Sequence, residues 1–243
     1  MIIMHEDQIR EAMNIVVFGA NGQSGRLLTR RALDKGHSAV AVTRRPEEFP
    51  FADPRLTVVR ADVHEPWSLV EVVSGADAVV STLGVPFSLR PIDTYSVGVR
   101  NIIAVMRDTG VRRLVVVSST GAYPYPNRID TPVSLRLFEP VITRTIGKTT
   151  YDDQRRMEDI VRASRLDWTI VRPSGLFDLP EPTNYVAGEV DPIGGFTARI
   201  DLADYMATLA GEPEAAGKTV VVSTIEDTPT TWQMIRREAF KSA

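Results

Sequence analysis

Residues 15–18 form an apolar run that passes without a break into Gly19-Ala20-Asn21-Gly22-Gln23-Ser24-Gly25, and residues 26–36 then carry helical spacing. A strand, a glycine-rich turn and a helix in that order leave few folds open. Glycines let a backbone pass close to a ligand, and the helix behind them aims its free N–H groups and positive dipole end at that point. A pyrophosphate suits both features. The spacing G-x-x-G-x-x-G differs from the commoner G-x-G-x-x-G, but the strand-to-helix setting is the one a dinucleotide-binding turn requires. Gly19, Asn21, Gly22, Gln23, Ser24 and Gly25 are therefore expected to line a cofactor's phosphates.

The next strand selects the dinucleotide. Ser38–Thr43 is short, apolar and β-branched, and it ends in Arg44-Arg45. An NAD site places Asp or Glu about twenty residues past the glycines to hold the ribose 2′-hydroxyl. Here the first carboxylates are Glu47 and Glu48, beyond Pro46. A guanidinium matches phosphate oxygens with a planar fork of donors. Thr43, Arg44 and Arg45 are thus expected to hold a 2′-phosphate, and the cofactor is expected to be NADP(H).

Strand and helix alternate along the rest of the chain. Strands are expected at Leu56–Arg60 and at residues 77–81, 112–118, 168–172 and 218–223. Helices are expected at 66–73, 93–108, 150–164 and 202–210, with a closing amphipathic helix at 230–241. Near-continuous apolar strands separated by helices imply an α/β fold, a doubly wound parallel sheet covered on both faces. Residues 13–243 read as one Rossmann-type domain, with residues 1–12 as an extension. Two long segments interrupt the rhythm: residues 123–148, read as a lid, and residues 173–196, read as a substrate loop. Both leave the carboxyl ends of strands, where such sheets bind ligands.

Composition excludes several alternatives. The net charge of −3 argues against a nucleic-acid partner or an anionic membrane surface. No run approaches the ~18 apolar residues of a membrane span. Residues 1–13 are too polar for a signal peptide. With no cysteine and three scattered histidines (His5, His37 and His64), neither thiolate chemistry nor a metal site is expected, and the cytoplasm is the expected compartment.

The motifs G-A-N-G-Q-S-G-R, A-D-V (61–63), S-T-L-G (81–84), V-V-V-S-S-T-G-A-Y (115–123) and L-D-W-T-I-V-R-P (166–173) together resemble the atypical short-chain dehydrogenase/reductases. The most similar branch is the NAD(P)H-binding group that contains NmrA-like proteins, flavin/biliverdin reductases, quinone reductases and some antibiotic-pathway ketoreductases. The resemblance implies that Asp62 and Val63 face the adenine and that Thr82, Leu83 and Gly84 face the ribose and pyrophosphate. It places Pro173, Ser174, Gly175 and Leu176 along the nicotinamide and adds Ser118 and Gln154 to the cofactor-facing set. Ser119 takes the active-site Ser/Thr position.

The chain departs from the family at one place. Typical members carry Tyr and Lys four residues apart on the helix after the fifth strand, where the ammonium lowers the phenol's pKa. Alignment on Glu158 and the 166–173 run puts Thr150 and Gln154 there, and neither is a useful acid near neutral pH. Tyr151 and Arg155 share the spacing one step out of register. One step turns a helix by about 100°, so this pair is expected to face elsewhere, leaving Ser119, Tyr123, Tyr185 or water to supply a proton. In the lid, Thr131-Pro132 opens a helix whose residues Val133, Leu137, Phe138, Val141 and Ile142 form an apolar stripe that Pro140 should kink or divide. The expectation is an NADPH-dependent reductase of a bulky apolar, aromatic or quinone-like small molecule. The alternatives are a flavin or quinone reductase, or a redox-sensing regulator without chemistry. The oligomeric state stays open.

Overall fold

A computed structural model describes residues 11–229. The core is an eight-stranded sheet in the order β3-β2-β1-β4-β5-β6-β10-β8. Its strands are β1 (Asn14–Phe18), β2 (Ser38–Thr43), β3 (Leu56–Arg60), β4 (Ala78–Ser81), β5 (Arg113–Val117), β6 (Asp167–Pro173), β8 (Tyr185–Gly188) and β10 (Lys218–Thr224). Strands β7 (Gly175–Phe177) and β9 (Phe196–Ala198) make a separate parallel pair. The order reverses between β1 and β4, and the crevice at that switch is where a doubly wound sheet takes its ligand.

Among the described residues, six α-helices accompany the strands: α1 (Gln23–Asp34), α2 (Val70–Val73), α3 (Thr94–Thr109), α4 (Val133–Arg144), α5 (Lys148–Arg162) and α6 (Arg199–Ala210). The strand period of two sorts the core. Val16 and Phe18 of β1 join Ile102, Met106, Leu114, Met157 and Ile170 on one face. Ile15 and Val17 join Leu28, Val115, Leu202 and Met206 on the other. Each such side chain, buried to within 1% of completeness, contributes about 1.5–3 kcal/mol. The N-terminus of α3 is capped from another helix. The buried Asp153 carboxylate on α5 accepts the backbone N–H groups of Tyr95 and Ser96 at 2.9 and 3.3 Å.

The parallel α/β core is as expected, with three corrections. Strand β8 runs antiparallel to β10, so the sheet is not parallel throughout. Between β6 and β8 the chain passes to the far side of the β10 position without a helix, and a strand that comes back antiparallel needs no crossover helix. The 173–196 loop is also more regular than its composition suggests, since it holds β7, β8 and the start of β9. In the lid, Pro140 does not divide α4, which continues from Val133 to Arg144; a proline forfeits only its own backbone bond and need not end a helix held by its neighbours. The closing helix expected at 230–241 and residues 1–10 of the extension lie outside the described residues.

Candidate active site

The turn between β1 and α1 divides its glycines by role. Gly19 has φ of +73°, and a Cβ there would lie 2.7 Å from the Thr82 carbonyl oxygen. A Cβ on Gly25 would lie 2.2 Å from the Gly19 carbonyl oxygen. The protein's own packing therefore requires both. Gly22 is exposed, in ordinary extended backbone, and stands as the N-cap of α1 with no side chain capping the helix and no acidic residue in its first turn. Exposed Gln23 and half-buried Ser24 follow it, so the positive end of α1 is open to an anion. Asn21 steadies the turn, its Oδ1 accepting Arg26 Nε and Nη2 at 2.9 and 2.7 Å.

At the end of β2 the two arginines differ. Thr43 is buried and accepts the Arg45 backbone N–H at 3.1 Å. The Arg45 guanidinium is paired with Glu48 at 3.0 Å, and Arg60 takes Glu47 at 2.8 Å while donating to the Arg44 carbonyl oxygen at 2.7 Å. Exposed Arg44 has no carboxylate within salt-bridge distance among the described residues, so it holds the available charge. Asp62 accepts the His64 backbone N–H at 3.0 Å, and this bond holds its carboxyl below the usual range. Val63 is buried, and its carbonyl oxygen accepts Asn101 Nδ2 at 2.8 Å.

Toward the other end of the crevice, Thr82 donates to the Phe18 carbonyl oxygen at 3.0 Å, with Leu83 and Gly84 following it out of the sheet. Beyond β6, Ser174 Oγ lies 3.3 Å from Thr120 Oγ1 and its N–H donates to Thr197 Oγ1 at 2.9 Å, fixing the turn from Pro173 into Gly175 and Leu176. Ser118 Oγ, Thr150 Oγ1 and Gln154 Oε1 are all buried with no hydrogen-bond partner. An unpaired buried polar atom costs about 1–3 kcal/mol. Three of them lie just beyond β5 and on the first half of α5. Two of these residues, Thr150 and Gln154, are four apart on α5.

The proton-donor candidates are distributed differently from expectation. Ser119 Oγ accepts the Gly121 N–H at 3.1 Å. The Tyr123 ring lies beneath the Arg172 guanidinium, 3.9 Å from ring centre to Cζ. Arg172 in turn donates Nε to the buried Glu158 at 2.9 Å. Tyr185 donates to Asp204 at 2.8 Å, in contact with α1 and α6 on the opposite face of the sheet. Tyr151, expected to face away, instead sits between Gly121 and Gly147, where a Cβ on either would lie 2.7 Å from its ring. Its hydroxyl lies against Gly121, in the turn that begins at Ser119. Burial, then the charge of Glu139, push its pKa up to about 12. Residue spacing gives only the relative angle of two positions on α5. The tight Gly121 turn against the helix decides which of them packs on that turn.

The two long segments meet each other. Ile129 in the lid bridges to Ile193 in the substrate loop, with Ile129 N–H donating to the Pro192 carbonyl oxygen at 3.1 Å. Arg128 ties the lid to the site, reaching Thr120 Oγ1 and Glu139, each at 2.8 Å. Neither Ile129 nor Ile193 belongs to a motif, so their pairing is not legible from the residues alone. Phe87, Leu89, Ile129, Val133 and Val141 stay exposed on the segments leaving this edge. Among the described residues, no cluster of acidic, histidine or cysteine side chains is arranged for a metal, and no helix is long and apolar enough to cross a membrane.

An anion-ready helix N-terminus at the switch point of a doubly wound sheet, with unpaired polar groups beyond it, defines a dinucleotide-binding protein of the Rossmann type. Residues 19–213 match the NAD(P)H-binding family, and the chain belongs to it. It is an NAD(P)H-dependent oxidoreductase of the short-chain dehydrogenase/reductase kind. An uncharacterized chloroplastic protein of Arabidopsis thaliana is 28% identical over 229 residues, which cover 88% of this chain and 78% of that one. A putative NAD-dependent epimerase/dehydratase from Bacillus halodurans is 26% identical with a TM-score of 0.67, covering 93% of this chain and all of that one (100%). A short-chain dehydrogenase/reductase from Veillonella parvula, solved in complex with NADP, shares the fold at 20% identity and a TM-score of 0.71, over 90% of this chain and 99% of that one.

Proposed function

We propose that the protein is a cytoplasmic, NADPH-dependent reductase that transfers hydride to the carbonyl of a bulky apolar or quinone-like small molecule. The observation that carries this reading is the collection of exposed apolar side chains, Phe87, Ile129, Val133 and Val141, on the segments that leave the sheet at the edge bearing Ser119. An apolar acceptor offsets the cost of leaving such groups in water. The glycine turn and Arg44 would hold the phosphates, and Ser118, Thr150 and Gln154 the nicotinamide riboside. Ser119 would bind the acceptor's oxygen, because a hydroxyl stabilises a developing oxyanion without being deprotonated. Tyr123, stacked on Arg172, would support the floor of the site beside it.

Thr150 and Gln154, standing where the family resemblance implies Tyr and Lys, favour a second reading, a regulator that binds NADP(H) without turnover. Following NADPH oxidation against a panel of ketones, quinones and flavins separates the two. Turnover of an apolar carbonyl or quinone supports the reductase. No turnover, together with very different affinities for oxidised and reduced cofactor, supports the regulator.

A further inference from the structure

We propose that His64 is a positioning residue for the cofactor's base. It fixes the Asp62 carboxylate so that one oxygen accepts the 6-amino group of adenine and rejects a base carrying oxygen at that position. The inference rests on the NADP(H) placement above and not on turnover, so it applies to the reductase and to the regulator alike. A doubly wound sheet lays the adenosine half of a dinucleotide outward from the glycine turn, with its ribose at the end of the second strand. The base on that ribose reaches the next strand outward. That strand is β3, which pairs with β2 as far as Thr43 and Arg60. Asp62 stands just past that pair, and the intervening Ala61 N–H still donates to the Thr43 carbonyl oxygen at 3.2 Å.

The backbone here is anchored from two sides. Asp62 N–H donates to Ser68 Oγ at 3.3 Å, and Asn101 Nδ2 on α3 donates to the Val63 carbonyl oxygen at 2.8 Å. His64 then sets the side chain. Asp62 Oδ1 accepts both the His64 backbone N–H at 3.0 Å and His64 Nδ1 at 3.1 Å. An ionised carboxylate only accepts, so Nδ1 carries the proton of that bond. The other ring nitrogen faces the N-cap of α3, with Nε2 3.7 Å from Asp93 Oδ1. The imidazole thus braces Asp62 against α3. With Oδ1 engaged twice, Oδ2 keeps its accepting capacity: it takes no hydrogen bond among the described residues, and the side chain stays 32% exposed. Adenine offers an amino donor at C6. Hypoxanthine offers a carbonyl oxygen there, and its nearest donor is N1–H, one ring position away. A braced carboxylate accepts the amino group and repels the carbonyl oxygen. A carboxylate released from His64 can turn and follow N1–H.

Calorimetry of the full chain with NADPH and with its hypoxanthine analogue tests this. Wild type is expected to prefer NADPH by about tenfold, the effect of one hydrogen bond to a charged acceptor. Asp62→Ala is expected to lose that preference. His64→Ala is expected to weaken NADPH binding by only about threefold while the preference shrinks to about twofold, because the freed carboxylate serves either base. His64→Asn, whose side-chain amide donates where Nδ1 did, is expected to restore most of the preference. A purely structural role for His64 would weaken both ligands equally and leave their ratio unchanged, and that result overturns the proposal. So does a wild type that binds the two ligands equally, or an Asp62→Ala protein that keeps the tenfold preference. If wild type reduces no acceptor, the reductase reading fails by itself, while the ratio of the two affinities still judges His64.

Discussion

A Cβ on Gly25 would stand 2.2 Å from the carbonyl oxygen of Gly19, while a Cβ on Gly22 would stand 3.2 Å from the same oxygen. The first contact forces backbone apart and the second needs a shift of a few tenths of an ångström. Gly25→Ala is therefore expected to destabilise the fold by about 1–3 kcal/mol. Gly22→Val should stay within about 1 kcal/mol of wild type and lose cofactor binding, since its side chain enters the phosphates' space. Denaturant midpoints and calorimetry of NADPH binding check both.

The unequal arginines give a second test. NADPH is expected to bind more tightly than NADH, and Arg44→Ala should reduce that preference by about 1.5–3 kcal/mol, the worth of a charge-assisted contact. Arg45→Ala should matter less, because its guanidinium is already held by Glu48. Equal affinities for the two cofactors in the unmutated protein would remove the NADP assignment.

Thr150 and Gln154 should show opposite effects on stability and binding. Each carries a buried oxygen without a partner. Thr150→Val and Gln154→Leu are expected to leave the cofactor-free protein as stable as before or slightly more so. Each should also weaken NADPH binding by about 0.5–1.5 kcal/mol, one ordinary hydrogen bond. Loss of stability with unchanged affinity would show that these groups serve the fold alone.

Glu158 is completely buried and held by both Arg172 and Arg162. Removing one partner of such a pair leaves an uncompensated buried charge, so Arg172→Met is expected to cost about 3–5 kcal/mol. Glu158→Leu combined with Arg172→Met should cost less than the two single changes added together. A double-mutant cycle by thermal unfolding measures the difference.

Alkali should weaken the fold through its buried phenols. Burial comes first among the causes that push Tyr151 and Tyr205 up to about 12, against an ordinary 10. Below pH 10 both are protonated, folded or unfolded, and their contribution is intact. Between pH 10 and 12 the unfolded chain releases its protons first, so stability falls as pH rises, by about 2–3 kcal/mol for each phenol. Unfolding measured at pH 9, 10 and 11 should show the decline, and Tyr151→Phe should make it shallower.

The sequence by itself determined the sheet and the phosphate end of the crevice. The continuous apolar run Ile15, Val16, Val17 and Phe18, ended by a glycine turn, reads as a strand covered on both faces. The Gly19–Gly25 turn is equally legible because its constraints are local, a backbone with no room for Cβ atoms and a helix that starts beside it. Arg44-Arg45 was legible as a pair of cations at the end of β2, but not as one committed residue and one available residue, since Glu48 decides between them.

The tertiary structure decided the chemical end. Whether Thr150 or Tyr151 packs on the turn after β5 depends on how α5 seats against Gly121. Spacing along a helix fixes the angle between two side chains but not the rotation of the helix about its own axis. That rotation is set by contacts distant in sequence, among them Asp153 capping α3, Arg155 on Ala122 and Glu158 on Arg172. The same holds for the bridge from Ile129 to Ile193 that joins the two loops. Neither residue has a local partner that would reveal it, because each pairs with backbone more than sixty residues away (193 − 129 = 64).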